Sequence, residues 1–117
     1  EREKAGQVVA TLYCNAAACL LRQQRPDDAV YAASKALELD EWSAKALFRR
    51  AQAHHARGTS AALEAAVQDL GRAQALEPSN YQVRALLATY QHELVAQNRK
   101  DRALFGAMFD RGGRLYE

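Results

Sequence analysis

An all-α fold is predicted, an antiparallel helix-turn-helix solenoid of two repeats followed by a long C-terminal helix. Three observations predict it. The 117 residues hold only 2 Pro and 6 Gly, and alanine, which loses no side-chain entropy in a helix, is abundant instead. The chain has no Ile and few Thr, whereas a β-sandwich draws on β-branched residues and closely spaced turn signals. Finally, segments of the chain match one another at a spacing of 34 residues, the period of a stacked helix pair. The length suits one domain. A composition of 49% apolar and 26% charged residues argues against a long disordered tail.

The first helix is expected from about residue 3 to Arg22. Val8, Leu12, Ala16 and Cys19 recur on one stripe of it, with Val9, Tyr13 and Leu20 beside them. Gln23-Gln24-Arg25 forms a short connection. Pro26 opens the second helix, where its missing N–H costs nothing, and Asp27 and Asp28 suit the positive end of the helix dipole. That helix covers roughly 26–39, with Ala29, Val30, Ala33, Ala36 and Leu37 inward. Ser43 is a natural N-cap for a third helix over about 44–57, which Gly58 ends. Thr59 or Ser60 caps a fourth, which runs to Leu76 through Leu63, Ala66, Val67, Leu70 and Ala73. Pro78-Ser79-Asn80 is a break. A fifth helix over about 80–110 follows, with Gly112-Gly113 as its expected end.

The repeat is visible residue by residue. Tyr13-Cys14-Asn15-Ala16-Ala17 aligns with Leu47-Phe48-Arg49-Arg50-Ala51 at an offset of 34, and Ala29 and Ala36 align with Ala66 and Ala73 at 37. Three extra residues near Thr59-Ser60-Ala61 account for the difference. Small residues fall where paired helices must approach closely: Ala17, Ala29 and Ala36, then Ala51, Ala66 and Ala73. The repeats span about 10–43 and 44–80 within one domain over 1–117.

Three polar residues stand out on the first helix of each repeat, the helix that lines the concave side of such a stack. Asn15 interrupts the apolar run Leu12 to Leu21, and asparagine is a poor residue for a helix interior. Lys45 places a cation in the first turn of a helix, against its dipole. Arg49 repeats the charge one turn later, and such a like-charge pair costs about 0.2–0.5 kcal/mol in an isolated helix. Both costs make sense where an anion binds, because Lys supplies a point charge and Arg a planar fork for carboxylates. Phe48, Gln52 and His55 are expected along the same groove, and Phe48 is equally suited to the core. Arg50, one residue off that face, is expected in an interhelix salt bridge.

With its 34-residue period and its Ala36-Leu37-Glu38-Leu39-Asp40 ending, the sequence resembles the tetratricopeptide repeat family. Ala44-Lys45-Ala46-Leu47-Phe48-Arg49-Arg50-Ala51 is similar to the third repeat of co-chaperone domains. Lys100-Asp101-Arg102-Ala103-Leu104-Phe105-Gly106-Ala107-Met108-Phe109 resembles the extended last helix of FKBP-type and cyclophilin-type large immunophilins. The resemblance implies an interaction module of a co-chaperone, in a parent protein that carries a separate peptidyl-prolyl isomerase domain. It implies a carboxylate clamp for the Met-Glu-Glu-Val-Asp tail of the 90-kDa heat-shock protein, with the 70-kDa one as a second candidate. Asn15, Lys45 and Arg49 match the clamp positions of the family's second and third repeats. On this reading the chain starts at the second repeat, and the clamp's other Lys and Asn belong to a first repeat that the sequence does not include. A cytoplasmic or nuclear location goes with this resemblance, as does calmodulin or another partner for the basic, amphipathic last helix with Leu104, Phe105, Met108 and Phe109 on one face.

The other classes find little support. A net charge of +2 and a pI of about 8.7 do not suggest a nucleic-acid binder. The apolar run Ala16 to Leu21 is too short to cross a membrane. Cys14 and Cys19, five residues apart on one helix, are separated by a rotation of about 140°, so they do not pair, and two buried thiols suit a reducing compartment. Neither the cysteines nor His54, His55 and His92 have the spacing of a metal site. No catalytic constellation and no cofactor motif is present. The alternative to peptide binding is a structural role, self-association through an apolar face formed by Val8, Val9 and Leu12.

Overall fold

The structure, a computed structural model, describes residues 2–115, with side-chain environments to Asp110. Five helices follow one another: α1 (Arg2–Arg22), α2 (Pro26–Leu39), α3 (Ala44–Arg57), α4 (Ser60–Leu76) and α5 (Tyr81–Leu115). No strand occurs among the described residues. The fold is the expected all-α solenoid, in which α1 packs on α2, α3 on α4, and α5 on α4.

Local chemistry sets each boundary. α1 ends with Gln24 in the left-handed region at φ 58°, and the Arg25 N–H reaches back to the Leu20 carbonyl at 2.9 Å. That is the arrangement in which glycine is usual. Pro26 starts α2. The Ser43 hydroxyl accepts from the Ala46 N–H at 3.1 Å, and the Thr59 hydroxyl from the Ala62 N–H at 3.0 Å, so both N-caps are filled as the sequence suggests. Gly58 closes α3 at φ 79°. Asn80 caps α5 through its Oδ1, which accepts from the Val83 N–H at 3.2 Å. One boundary differs from expectation: α5 passes through Gly112-Gly113 and runs to Leu115. Glycine lowers helix propensity by about 1 kcal/mol without barring the conformation.

The core is built on alanine. Ala17, Ala29, Ala33, Ala36, Ala46, Ala51, Ala53, Ala66 and Ala73 have no exposed surface, which lets the helix backbones approach. The largest cluster joins Leu47 and Ala51 of α3, Ala66, Leu70 and Ala73 of α4, and Val83, Leu87 and Tyr90 of α5. On α1 the buried stripe is Ala10, Cys14 and Ala17. The neighbouring stripe of Val8, Leu12, Ala16 and Cys19 faces outward. Cys19 is therefore exposed, and the expectation of two buried thiols holds for Cys14 alone. An apolar stripe on each side of α1 left the sequence unable to say which one is covered.

Arg50 ties the two pairs together as expected of it. It holds Asp69 of α4 in a two-point ion pair, Nε to Oδ2 and Nη2 to Oδ1, both 2.8 Å, and donates to the Ser34 hydroxyl of α2 at 3.3 Å. The first half of α5 packs against α4. From Asn98 to Asp110 every residue is exposed, and the molecule measures 70 × 29 × 24 Å.

Candidate functional site

The site forms where α1 meets α3, with the start of α5 bordering α3 on the other side. Asn15 is exposed on α1, directly after the buried Cys14. Its Oδ1 accepts a hydrogen bond from Lys45 Nζ at 3.2 Å, across 30 residues of sequence. Lys45 can reach it because Ser43 caps α3 and fixes the first turn. Arg49 follows one turn later. Its Nη1 donates to Gln52 Oε1 at 3.1 Å, and its guanidinium lies 5.9 Å from the centre of the Phe48 ring. Arg49 Nε is buried and has no hydrogen-bond partner among the described residues. An unpaired donor of this kind costs about 1–3 kcal/mol.

Two consecutive arginines thus do different things. The 100° turn between them sends Arg50 into the ion pair with Asp69 and leaves Arg49 at the groove. The charges of Lys45 and Arg49 reach the buried Cys14 thiol, and that of Asp40 opposes them. Burial pushes that thiol above its ordinary value, while a hydrogen bond with Ser43 and the charges of Lys45 and Arg49 pull the other way.

Phe48, Arg49 and Gln52 line a groove of about 510 Å³ against Tyr81, Gln82 and Leu86 of α5. Phe48 also packs on the core, so both readings of it apply. The structure places His55 one turn farther along, beside α5. Its Nε2 lies 2.6 Å from Glu93 Oε2, and its ring stacks on Tyr90 with centroids 4.2 Å apart. Burial, with the charge of Glu93, pushes the Tyr90 hydroxyl up to about 12. His54 points elsewhere, toward Asp69 at 3.8 Å, and burial lowers its proton affinity, with Arg50 and Arg57 adding to the shift and Asp69 opposing it.

Three residues escaped the sequence reading. Asp69 is a buried carboxylate, signalled by one acidic residue among the apolar positions Ala66, Leu70 and Ala73. Glu93 gave no signal, because it is one of several charges on a long helix. Trp42 is 71% exposed beside the groove, and a large aromatic in so short a helix connection was the available signal. On α5, Leu104, Phe105, Met108 and Phe109 are all exposed. No group of three or more metal-ligating side chains occurs among the described residues. No described helix is long and apolar enough to cross a membrane.

This geometry has counterparts among known proteins. No family model matches the chain. Over 111 residues, 95% of the chain, it is 34% identical to the peptidyl-prolyl cis-trans isomerase FKBP4 of Bos taurus, covering 24% of that protein. Over 95 residues it is 39% identical to a DnaJ homolog subfamily C member 7 homolog of Schizosaccharomyces pombe, covering 81% of the chain and 19% of the relative. Over 71 residues, 61% of the chain, it is 44% identical to protein unc-45 homolog B of Xenopus laevis and covers 7% of it. The chain therefore spans about a quarter or less of these relatives. Among solved structures, the first TPR (tetratricopeptide) domain of Spaghetti (RPAP3) bound to the HSP90 peptide SRMEEVD superposes with a TM-score of 0.68 at 28% identity, covering 74% of the chain and 66% of that domain. What the chain matches in these proteins is an interaction module, not an enzyme.

Proposed function

We propose that this tetratricopeptide-repeat domain, of the kind FKBP-type co-chaperones carry, binds the acidic carboxyl-terminal tail of the 90-kDa heat-shock protein. Asn15, Lys45 and Arg49 form the carboxylate-holding part of the site. The observation that carries the reading is the Lys45–Asn15 hydrogen bond at 3.2 Å, with Arg49 one turn on at the groove. Residues of two helices converge there on one positive face, and the guanidinium of Arg49, which lines the groove, offers a carboxylate donors. The peptide in the RPAP3 complex ends in such an acidic tail. In this reading Lys45 meets the carboxylate as a point charge, Arg49 as a fork, and Asn15 donates through its side-chain amide. A parent protein with a separate isomerase domain fits the FKBP4 likeness, and the free thiols of Cys14 and Cys19 support a cytoplasmic location.

Calorimetric titration with a Met-Glu-Glu-Val-Asp peptide tests the reading. Lys45→Ala removes a charge-assisted bond worth about 1.5–3 kcal/mol, so affinity falls by about 10- to 150-fold, and added salt weakens the parent complex. A chain that ignores the peptide, or binds it equally well without Lys45, refutes it. A second reading, self-association, is favoured by one observation: Val8 and Leu12 are each 61% exposed on α1. A monomer at high concentration in sedimentation equilibrium excludes it.

A further inference from the structure

The buried line of α5 continues past the point where its support stops. Val83, Leu87 and Tyr90 lie in the core. At helical spacing the same line runs on through Leu94, Gln97 and Asp101 to Leu104, Phe105 and Met108, with Phe109 at its edge. α4 begins at Ser60, whose hydroxyl donates to Asp101 Oδ2 at 3.5 Å. The last four side chains therefore stand beyond the end of α4, and each is at least 60% exposed. Lys100 and Arg102 stand roughly a quarter turn to either side of the line and are exposed as well. An apolar patch rimmed by charge marks an interaction surface.

A surface of matching chemistry lies at the start of the chain. A cleft of about 590 Å³ opens between the first turns of α1 and the end of α2. Leu37, Leu39 and Trp42 line it with apolar surface, and Glu3, Glu38 and Glu41 with negative charge. Leu39 and Trp42 are exposed. The task of Trp42 in the fold, a backbone N–H donated to Asp40 Oδ1 at 3.2 Å, needs no indole. α5 is one unbroken helix that packs on α4, so its far end does not fold back to the cleft of its own molecule.

We propose that the far end of α5 in one copy docks into the α1–α2 cleft of a second copy. Phe105 and Met108 then cover Leu39 and Trp42, and Lys100 and Arg102 face the three glutamates. Apolar surface meets apolar surface, and the charges around it are of opposite sign. The two patches differ, so the contact is heterologous: each copy keeps a free tail or a free cleft, and assembly runs head to tail unless a ring closes. The contact is of the size of transient encounters, below about 1,200 Å² in all, so assembly depends on concentration. It stands apart from the carboxylate-binding reading and from the outer face of α1.

Sedimentation equilibrium across a concentration series tests it. The expected result is a mass of 13.0 kDa at low concentration that rises past twice that value as the concentration increases, and falls back with added salt. A tail variant, Phe105→Glu with Met108→Glu, and a cleft variant, Glu3→Lys with Glu41→Lys, each stay monomeric alone with the circular dichroism of the parent. Mixed in equal amounts they form a particle of twice the mass and no larger, because one supplies the only intact cleft and the other the only intact tail. Trp42 is the only tryptophan of the chain. With Trp42→Phe added to the cleft variant, emission comes from the intact cleft alone and shifts to the blue on mixing. Lys45→Ala, and Val8→Ser with Leu12→Ser, leave the association unchanged, whatever they do to peptide binding. A parent chain that stays at 13.0 kDa at every concentration overturns the proposal, also where its tail binds calmodulin or anionic vesicles instead. So does a mixture of the two variants that stays monomeric, or an assembly that persists in either variant alone or that Val8→Ser with Leu12→Ser abolishes.

Discussion

Arg49→Met should separate binding from folding by moving them in opposite directions. In the free domain Arg49 is half-buried, its Nε has no partner, and its charge faces Lys45 one turn away. Removing the unpaired donor returns about 1–3 kcal/mol, and losing the Nη1 bond to Gln52 costs about 0.5–1.5 kcal/mol. Relief of the like-charge pair adds about 0.2–0.5 kcal/mol. Methionine keeps an apolar contact with Phe48. The balance favours the variant by about 1 kcal/mol, a rise in Tm of about 3–5 °C for a domain of this size. Peptide affinity should fall by about 10- to 150-fold, because a charge-assisted bond worth about 1.5–3 kcal/mol is lost. Thermal unfolding followed by circular dichroism reads the first effect and calorimetry with Met-Glu-Glu-Val-Asp the second. A drop in Tm of several degrees would show that Arg49 supports the fold, and an unchanged affinity would show that it does not meet the ligand. Either result refutes the reasoning.

Two further predictions concern the scaffold beneath the site. Asp69→Ala leaves the Arg50 guanidinium, 22% exposed, without its two-point partner; partial access of water keeps the loss below that of a fully buried pair, so about 2–3 kcal/mol is expected in denaturant unfolding. Replacing both partners, Arg50→Met with Asp69→Leu, should restore most of it, and a double variant as unstable as Asp69→Ala would count against the account. Acid sensitivity should trace to His54. Burial lowers its proton affinity in the folded state below the ordinary value of 6.5, so the unfolded chain holds the extra proton. Its contribution to stability is therefore complete above about 6.5 and falls as the pH drops through that value. His54→Gln should flatten this part of the stability profile, and an unchanged slope between pH 7 and 5 would contradict it.

How much the sequence disclosed differs from element to element. The helices were legible because their punctuation is local: Pro26, Ser43, Gly58 and Thr59 each act on the backbone beside them, and each acts as its chemistry requires. The alanines at the crossings were legible through the repeat, since Ala17 and Ala51, or Ala36 and Ala73, recur in step. What one residue does for a distant one was harder to read. Cys19 has apolar neighbours in sequence, yet it faces outward, because α1 carries two apolar stripes and periodicity weighs them equally. The end of α5 was misjudged because a glycine pair reads as a stop wherever propensity alone decides. Asn15, Lys45 and Arg49 were singled out as residues that packing does not explain. Their convergence depends on a superhelical turn that no single helix encodes. Glu93 owes its partner His55 to that turn as well, and no local pattern marks it, whereas Trp42 is marked only as a large aromatic in a short connection.

The long, uncovered run of α5 also governs how the molecule behaves as a particle. A compact chain of 117 residues has a radius of gyration of about 13 Å, whereas here it is 17.9 Å. Its frictional drag is therefore that of a rod with a knob at one end. On a sizing column a single copy elutes ahead of its mass, in the place where a globular dimer would emerge. The question of self-association must accordingly be put to a method that weighs the particle, since one that times its diffusion mistakes length for company.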